Sequence, residues 1–159
     1  MSLNLSEKAA PSAGNYCTSP EYVDAVNDAQ FVRMFGIAAL VASVVMIIRP
    51  EVAIGIGMAV LGFGKTRYYR MLGLTVIITS IVGILLGIFR PLGATCLCIG
   101  VLWKGIEILG VLSKVARDDP DWAATRKRAI VGICFSAVGL LINAGWVLIT
   151  AIALLSQIS

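Results

Sequence analysis

Long apolar runs separated by short polar joints dominate this chain. One run covers residues 34–48, is interrupted at Arg49-Pro50-Glu51 and resumes at Val52. A second run covers residues 71–89 and is interrupted at Arg90-Pro91. Two apolar segments joined by a turn of two or three residues are typical of a helical hairpin that crosses a bilayer and returns. The pattern predicts an all-α integral membrane protein built from helical hairpins.

The apolar segments divide into about five predicted transmembrane helices, with bounds at residues 31–48, 50–64, 71–89, 92–112 and 129–156. The last segment is long enough to fold as two arms with a turn at Asn143-Ala144-Gly145, so six spans is the alternative. Residues 1–30 form a polar tail ahead of a single transmembrane domain, 31–159. In this tail Ser19-Pro20-Glu21 has the residues of a helix start, which predicts a short amphipathic helix leading into the first span.

Composition supports the membrane interpretation and argues against an enzyme. Of the 159 residues, 58% are hydrophobic and 14% are charged, whereas soluble domains have about 45–50% apolar and about 25% charged residues. A water-soluble globule is therefore excluded. The chain has no histidine and no nucleophile elbow or phosphate-binding loop. We expect a non-enzymatic protein with no catalytic residues, cofactor or metal.

The basic residues form clusters that act as topology signals. Alternating hairpins place the two main clusters on one face of the membrane; their members are Lys65, Arg67, Arg70, Arg126, Lys127 and Arg128. The positive-inside rule makes that face cytoplasmic, where basic side chains also attract lipid headgroups. No basic amphipathic helix or aromatic-studded strand accompanies them, which argues against nucleic acid as a partner. The expected partners are the lipid bilayer and other membrane helices, including those of a second copy.

The hairpins look like copies of one another. The first begins Arg33-Met34-Phe35-Gly36-Ile37 and the second begins Arg70-Met71-Leu72-Gly73-Leu74, and both turn at an Arg-Pro pair. A third copy starts at Arg128 and reads Ala129-Ile130-Val131-Gly132-Ile133 after it. This repetition predicts an internal duplication.

With these repeated hairpins and proline turns, the chain from about Arg33 to Leu112 resembles the HdeD-like family of small bacterial membrane proteins. The resemblance implies a bacterial inner-membrane protein in a family linked to acid and stress resistance, and the positive-inside rule places its N-terminus in the cytoplasm. The final segment departs from the family pattern because it lacks the proline turn. A looser likeness, based on the polar tail and the tight hairpin, is to hydrophobic proteins that intracellular bacteria insert into host vacuole membranes. It gives a membrane-inserted secreted effector as an alternative.

Three polar side chains inside the predicted spans are candidates for a functional site. Lys104 and Glu107 are three residues apart in the fourth span, so they share a helix face and can pair. Ionisable groups within spans often mark ion or substrate paths, but a structural role against a partner helix is the favoured interpretation of the pair. Asn143 is predicted to form hydrogen bonds between helices.

Small residues at four-residue spacing predict helix-packing faces at Gly83 and Gly87 and at Gly132 and Ser136. Together the features predict a non-enzymatic membrane protein, either of a stress-type class or an accessory subunit of a membrane complex. A small channel or transporter that uses Lys104 and Glu107 is the second hypothesis, and the secreted effector is the third.

Overall fold

The computed structural model describes residues 19–87, 91–115 and 119–158, and in these ranges the regular structure is entirely helical. The polar tail before residue 19 and the Ile88-Phe89 end of the third predicted span lie outside the described residues. The five helices are α1 (Pro20–Val45), α2 (Val52–Phe63), α3 (Arg67–Leu86), α4 (Leu92–Leu112) and α5 (Pro120–Ile158).

The number of helices agrees with the five-span prediction. The bounds of α4 are those predicted, and α5 is one continuous helix that passes through residues 143–145 without a turn. The predicted cap of α1 is confirmed: the Ser19 hydroxyl oxygen accepts a hydrogen bond from the Tyr22 main-chain N–H at 3.3 Å, and Pro20 follows in the first turn. From there α1 continues to Val45, so the predicted amphipathic helix and the first span are a single element.

Most helix ends other than those of α4 differ from the predicted bounds, and two of these differences have a clear local cause. α3 ends at Leu86 because Gly87 adopts a φ of 67°, a left-handed conformation that glycine tolerates and that commonly ends helices. α5 begins at Pro120, well before the predicted residue 129. The Asp119 carboxylate accepts a hydrogen bond from the Asp121 N–H at 3.1 Å, and proline is favoured in a first turn.

Four of the described helices, α1, α3, α4 and α5, are long and apolar enough to cross a membrane. The exception is α2, whose 12 residues reach only about 18 Å. A hydrocarbon core is about 30 Å thick, so the α2 helix does not cover the full thickness by itself.

The helices alternate in direction along the chain. Asp28 of α1 meets Lys104 of α4, and farther along α1 Ser43 lies 3.7 Å from the sulfur atom of Cys98, so α1 and α4 are antiparallel. The pairs Leu72–Gly100 and Ser80–Gly93 make α3 antiparallel to α4 in the same way. As a result, the start of α1, the α2–α3 joint and the α4–α5 joint lie at one end of the bundle, which we call the basic end.

α4 contacts each of the other four helices. α1 packs along α5 and α4, whereas α2 packs mainly on α3 and touches α1 only slightly. The first predicted hairpin therefore reverses direction, but its two helices are not each other's main partners. The internal duplication stays a hypothesis. In each proposed copy the first glycine lies where two helices pack closely; these glycines are Gly36, Gly73 and Gly132.

The closest helix approach is between α1 and α5. A Cβ atom added at Gly36 would lie 2.6 Å from the Gly132 carbonyl oxygen, and one added at Gly132 would lie 2.5 Å from the Val32 carbonyl oxygen. The α5 face that packs here, which we call the inner face, consists of buried small or polar residues: Thr125, Ala129, Gly132, Ser136, Gly139 and Asn143. Their alternating spacing of four and three residues is the period of helix pairs that cross at a small angle.

We expect Gly132→Ala to destabilise the bundle by about 2 kcal/mol, the usual cost of overpacking a tight contact. The methyl group would meet the α1 backbone, which cannot move aside as a flexible side chain can. The matched control is Gly55→Ala in α2, where an added Cβ meets nothing within 4 Å and the gain in helix propensity favours the folded state. Thermal unfolding in detergent measures both, and an equal response of the two variants would contradict the close approach.

Candidate functional site

The strongest cluster of charges joins α4 to α1 near the basic end. The Lys104 ammonium lies 3.1 Å from the Glu107 carboxylate on the same helix, which confirms the pairing predicted from their spacing. It also lies 3.4 Å from the Asp28 carboxylate of α1, a contact between helices that the sequence analysis did not predict. The Asp28 and Lys104 side chains are 7% and 16% exposed, and that of Glu107 is 53% exposed. The pair with Asp28 is thus the buried one.

Two tyrosines at the start of α3 hold this cluster from the side. The Tyr68 hydroxyl donates to the Gly100 carbonyl oxygen at 2.6 Å, which places its ring 5.4 Å from the Lys104 ammonium. At that distance the ring face attracts the cation. The Tyr69 hydroxyl donates a longer hydrogen bond, 3.5 Å, to the main-chain carbonyl oxygen of Asp28. Three helices therefore converge on Lys104 and Asp28.

An aromatic cluster lies beside Asp28 on the side toward the membrane interior. The Tyr69 ring contacts the rings of Phe31 and Phe35, with centroids 5.6 Å and 5.7 Å away, and Phe31 stacks on Phe35 at 6.1 Å. Such separations are favourable for aromatic pairs. The cluster belongs to the apolar core and supports the α1 segment that carries Asp28.

Two polar cavities flank Asp28. At the basic end, α1 and α4 extend farther than the joint between α2 and α3. The cavities lie next to this joint, beside the parts of the longer helices that extend past it. The first, about 360 Å³, has a polar lining of Glu21, Asp24, Asp28, Thr66, Lys104 and Glu107. The second, about 440 Å³, has a polar lining of Asp24, Asn27, Asp28, Gln30, Lys65 and Thr66. Both volumes are in the range of small-molecule sites.

Apolar packing continues directly beyond the ion pair. Val32, Leu97 and Val101 are at most 1% exposed, and Gly105 fits against Val32 and the side chain of Ile133. The cluster therefore lies at the inner end of a polar vestibule, and the arrangement can hold and neutralise charge there. Among the residues that the structure describes, no three His, Cys, Asp or Glu side chains are arranged to hold a metal ion.

Asp28 is the residue that sequence reasoning missed. The helical spacing of the apolar residues in this segment sets Asp28 on the polar side of the predicted amphipathic helix, but Asp28 is buried. A usable signal was present: Asp28 falls three residues after Ala25 and four before Val32, two positions of the buried face of α1. Its partner could not be found in this way, because Lys104 lies 76 positions away in sequence and meets it only through the topology.

Asn143 is buried, as expected of a residue between helices, but it does not make the predicted hydrogen bonds. It is 2% exposed, and neither its amide nitrogen nor its amide oxygen has a partner. The side chain lines a small space shared with Met46 and Pro91, where α1 has ended and α4 begins. An unsatisfied buried amide costs about 1–3 kcal/mol. Asn143 is therefore a local weak point at the end of the inner face.

The predicted lipid-facing cations are at the basic end. The side chains of Lys65, Arg67, Arg70, Arg126 and Lys127 are exposed, and that of Arg128 is half-buried. The Arg126 guanidinium also lies 5.2 Å from the Trp122 ring, and the Trp122 indole N–H donates to the Leu112 carbonyl oxygen at 3.0 Å. These contacts link the basic residues to the joint between α4 and α5.

The predicted packing faces are found in part. Gly132 and Ser136 are both buried on the inner face of α5, and Gly83 is buried in α3. Gly87 has a different place: it ends α3 in the left-handed conformation, and a Cβ there would meet nothing within 4 Å. The second glycine of the predicted Gly83–Gly87 face is therefore a helix terminator rather than a contact residue.

The architecture defines the class of this protein. Its described residues form five helices, four of them long and apolar enough to span a bilayer, and it is an all-α, multi-pass membrane protein. Comparison of the chain with protein-family models, curated proteins and solved structures finds no match. What the protein does must therefore be argued from its own geometry.

We expect Asp28→Ala to lower the free energy of unfolding by about 2 kcal/mol. The value is below that for a fully buried pair because Lys104 keeps its contact with Glu107. The control is Asp24→Ala, one helical turn earlier on α1 and exposed, which should change stability by less than about 0.5 kcal/mol. Denaturant or thermal unfolding in detergent measures the difference, and equal effects of the two variants would show that the ion pair does not hold α1 to α4.

Proposed function

We propose that the protein is a non-enzymatic membrane component that works by contact with other membrane helices, as an accessory or structural subunit. The single observation that carries this proposal is the C-terminal half of α5. Asn143 is level with the end of α1 and the start of α4, because it lines the same small space as Met46 and Pro91. From there α5 continues for fifteen residues to Ile158, a rise of about 22 Å.

This projecting part of α5 is apolar and uncovered. Large side chains with exposed fractions from 39% to 66% follow one another along it: Val147, Leu148, Ile149, Ile152, Leu154 and Leu155. The apolar stretch from Ala129 to Ile158 is about 45 Å long, longer than a hydrocarbon core of about 30 Å. The apolar stretch is thus longer than the lipid hydrocarbon that would surround it. A neighbouring protein helix along α5 would shield its apolar side chains better than lipid alone.

The chemistry of the chain points in the same direction. It has no histidine, so it lacks the side chain that most often serves as a general base near neutral pH. The candidate site consists of one ammonium and two carboxylates that pair across two helices. Such ion pairs are better suited to holding helices in position than to catalysing a reaction.

The setting of this function is part of the proposal. The resemblance to HdeD-like proteins supports a stress-type role in a bacterial inner membrane. The gathering of cations at the basic end supports a cytoplasmic N-terminus. Labelling of single cysteines placed at position 65 and at position 49 by an impermeant reagent tests the orientation.

Extraction of the full-length protein in mild detergent tests the association. We expect it to migrate as an assembly larger than a single 16.8 kDa chain, with the assembly weakened by the paired change Ile152→Ala and Leu154→Ala on α5. The matched control is Ile78→Ala with Ile81→Ala, two residues of α3 that are also exposed, at 53% and 45%. A wild-type protein that is always a single chain without a partner would refute the proposed function.

A second candidate is a small channel or transporter that uses Lys104 and Glu107. The specific observation in its favour is the pair of cavities beside Lys104 and Asp28, which bring polar space to the buried charges. The apolar packing of Val32, Leu97 and Val101 beyond the pair makes a continuous path the less favoured interpretation.

Reconstitution in liposomes tests this second candidate. If the cluster lies on a solute path, Lys104→Ala and Glu107→Ala should each change the flux of small ions or amines at least severalfold, because the charges that face the path are altered. Lys114→Ala, an exposed lysine at the same end, serves as the control. Flux that is the same in all three variants and in protein-free liposomes would remove transport from consideration.

A further inference from the structure

α5 carries a seven-residue repeat on the side that faces away from the bundle. The residues Leu141-Ile142-Asn143-Ala144 recur one heptad later as Leu148-Ile149-Thr150-Ala151. Extended in both directions, the repeat has one column of larger residues and one of alanines. We call these columns together the outer seam: Cys134, Leu141, Leu148 and Leu155, with Ala137, Ala144 and Ala151.

No other segment among the described residues covers the outer seam. Leu141, Leu148 and Leu155 are 73%, 62% and 66% exposed. Cys134, Ala144 and Ala151 are also exposed, and Ala137 is half-buried. Successive residues turn by about 100° around a helix, which places the outer seam about 150° from the inner face that packs on α1. The exposed and the packed columns thus lie on nearly opposite sides of α5.

The regular seven-residue spacing of the outer seam is informative, because a helix surface that faces only lipid needs no regular spacing. Acyl chains cover any apolar surface, whereas two paired helices need contact residues at every 3.5 positions to stay in contact as they supercoil. The inner face of the same helix has that period where it packs on α1 and α4. Alternation of leucine with alanine also makes the surface able to fit a second helix, because a large side chain of one helix can enter the space beside a small residue of the other.

We propose that the outer seam pairs with the outer seam of a second copy of this chain, in a parallel, two-fold symmetric α5–α5 contact. This inference rests on the proposed association function and names the partner. Two copies with the same basic end insert into the membrane in the same direction, so their α5 helices meet in parallel. A two-fold axis then brings each seam residue against its own counterpart.

The charge distribution fits this geometry. From Ala129 to the end of the chain there is no Asp, Glu, Lys or Arg, so identical residues can meet in register without repulsion. One heptad before Cys134 the same column would hold Lys127, where like charges would oppose each other. The paired region therefore begins at Cys134 and includes the projecting half of α5.

Cys134 provides a direct test in the native chain. In a parallel pair its sulfur faces the sulfur of the second copy, at a separation that a disulfide can bridge. Oxidation of membranes with copper phenanthroline should give a covalent dimer of the full-length protein. We expect this dimer to be lost in Cys134→Ser and retained in Cys96→Ser, a half-buried cysteine of α4.

A second pair of variants keeps the test independent of one cysteine. In the Cys134→Ser background, Leu148→Cys should restore the dimer, whereas Ile149→Cys should not. Both positions are exposed, at 62% and 63%, but they differ by about 100° around the helix. Equal cross-linking at 148 and 149, or none at 134 and 148, would overturn the seam.

The outcomes also separate this inference from the function on which it rests. Cross-links from positions 134 and 148 to a different protein would refute self-pairing and leave the association function intact. A protein that forms no cross-link and migrates as a single chain in mild detergent would refute both.

Discussion

The close approach of α1 to α5 at Gly36 and Gly132 is the contact on which the rest of the bundle depends. Inside a bilayer there is little hydrophobic drive to bring apolar helices together, because lipid is as apolar as the helix surface. Dispersion contacts must supply the attraction, and they are strongest when the backbones come close. The two glycines allow that distance. With α5 fixed on one side of α1, α4 can pack against both helices, and Gly139 meets the side chains of Ser43 and Cys98 where the three converge.

The prediction from sequence worked where the determining signal was local. The bounds of α4, the Ser19 cap of α1 and the contact between Lys104 and Glu107 depend on residues a few positions apart. Gly132 was placed on a packing face because Ser136, four residues later, is also small. The early start of α5 at Pro120 was missed because the apolar run begins later, although the Asp-Pro-Asp capping residues were visible.

The candidate site was only half predictable, since it joins helices that are far apart in sequence. Asp28 was assigned to a surface helix, where a carboxylate needs no partner, and nothing near it in sequence indicates that α4 lies beside it. For Asn143 the location was predicted correctly but the hydrogen bonds were not. Whether its amide finds a partner depends on which atoms of α1 and α4 lie beside it, and the local sequence does not contain that information. Gly87 illustrates a third case, because Gly-x-x-x-Gly spacing does not distinguish a contact face from a helix end.

Polar and apolar contacts hold the two ends of the bundle differently. Small-residue faces such as the inner face of α5 bring helices close but specify their relative position along the axis weakly, because each heptad resembles the next. The strongest directional contacts that fix this position are the Lys104–Asp28 pair, the Tyr68–Gly100 hydrogen bond and the Trp122–Leu112 hydrogen bond. All three lie at the basic end, whereas the Ser43–Cys98 contact farther along α1 is a weaker one to sulfur. Toward the other end the inner face finishes at Asn143, whose amide is unsatisfied. From there α5 continues without neighbours from the described part of its own chain. The helix positions are therefore fixed most firmly at the basic end, where the charges are. They are least constrained at the opposite end, where the apolar surface of α5 is exposed. At that end α5 can pair with another helix.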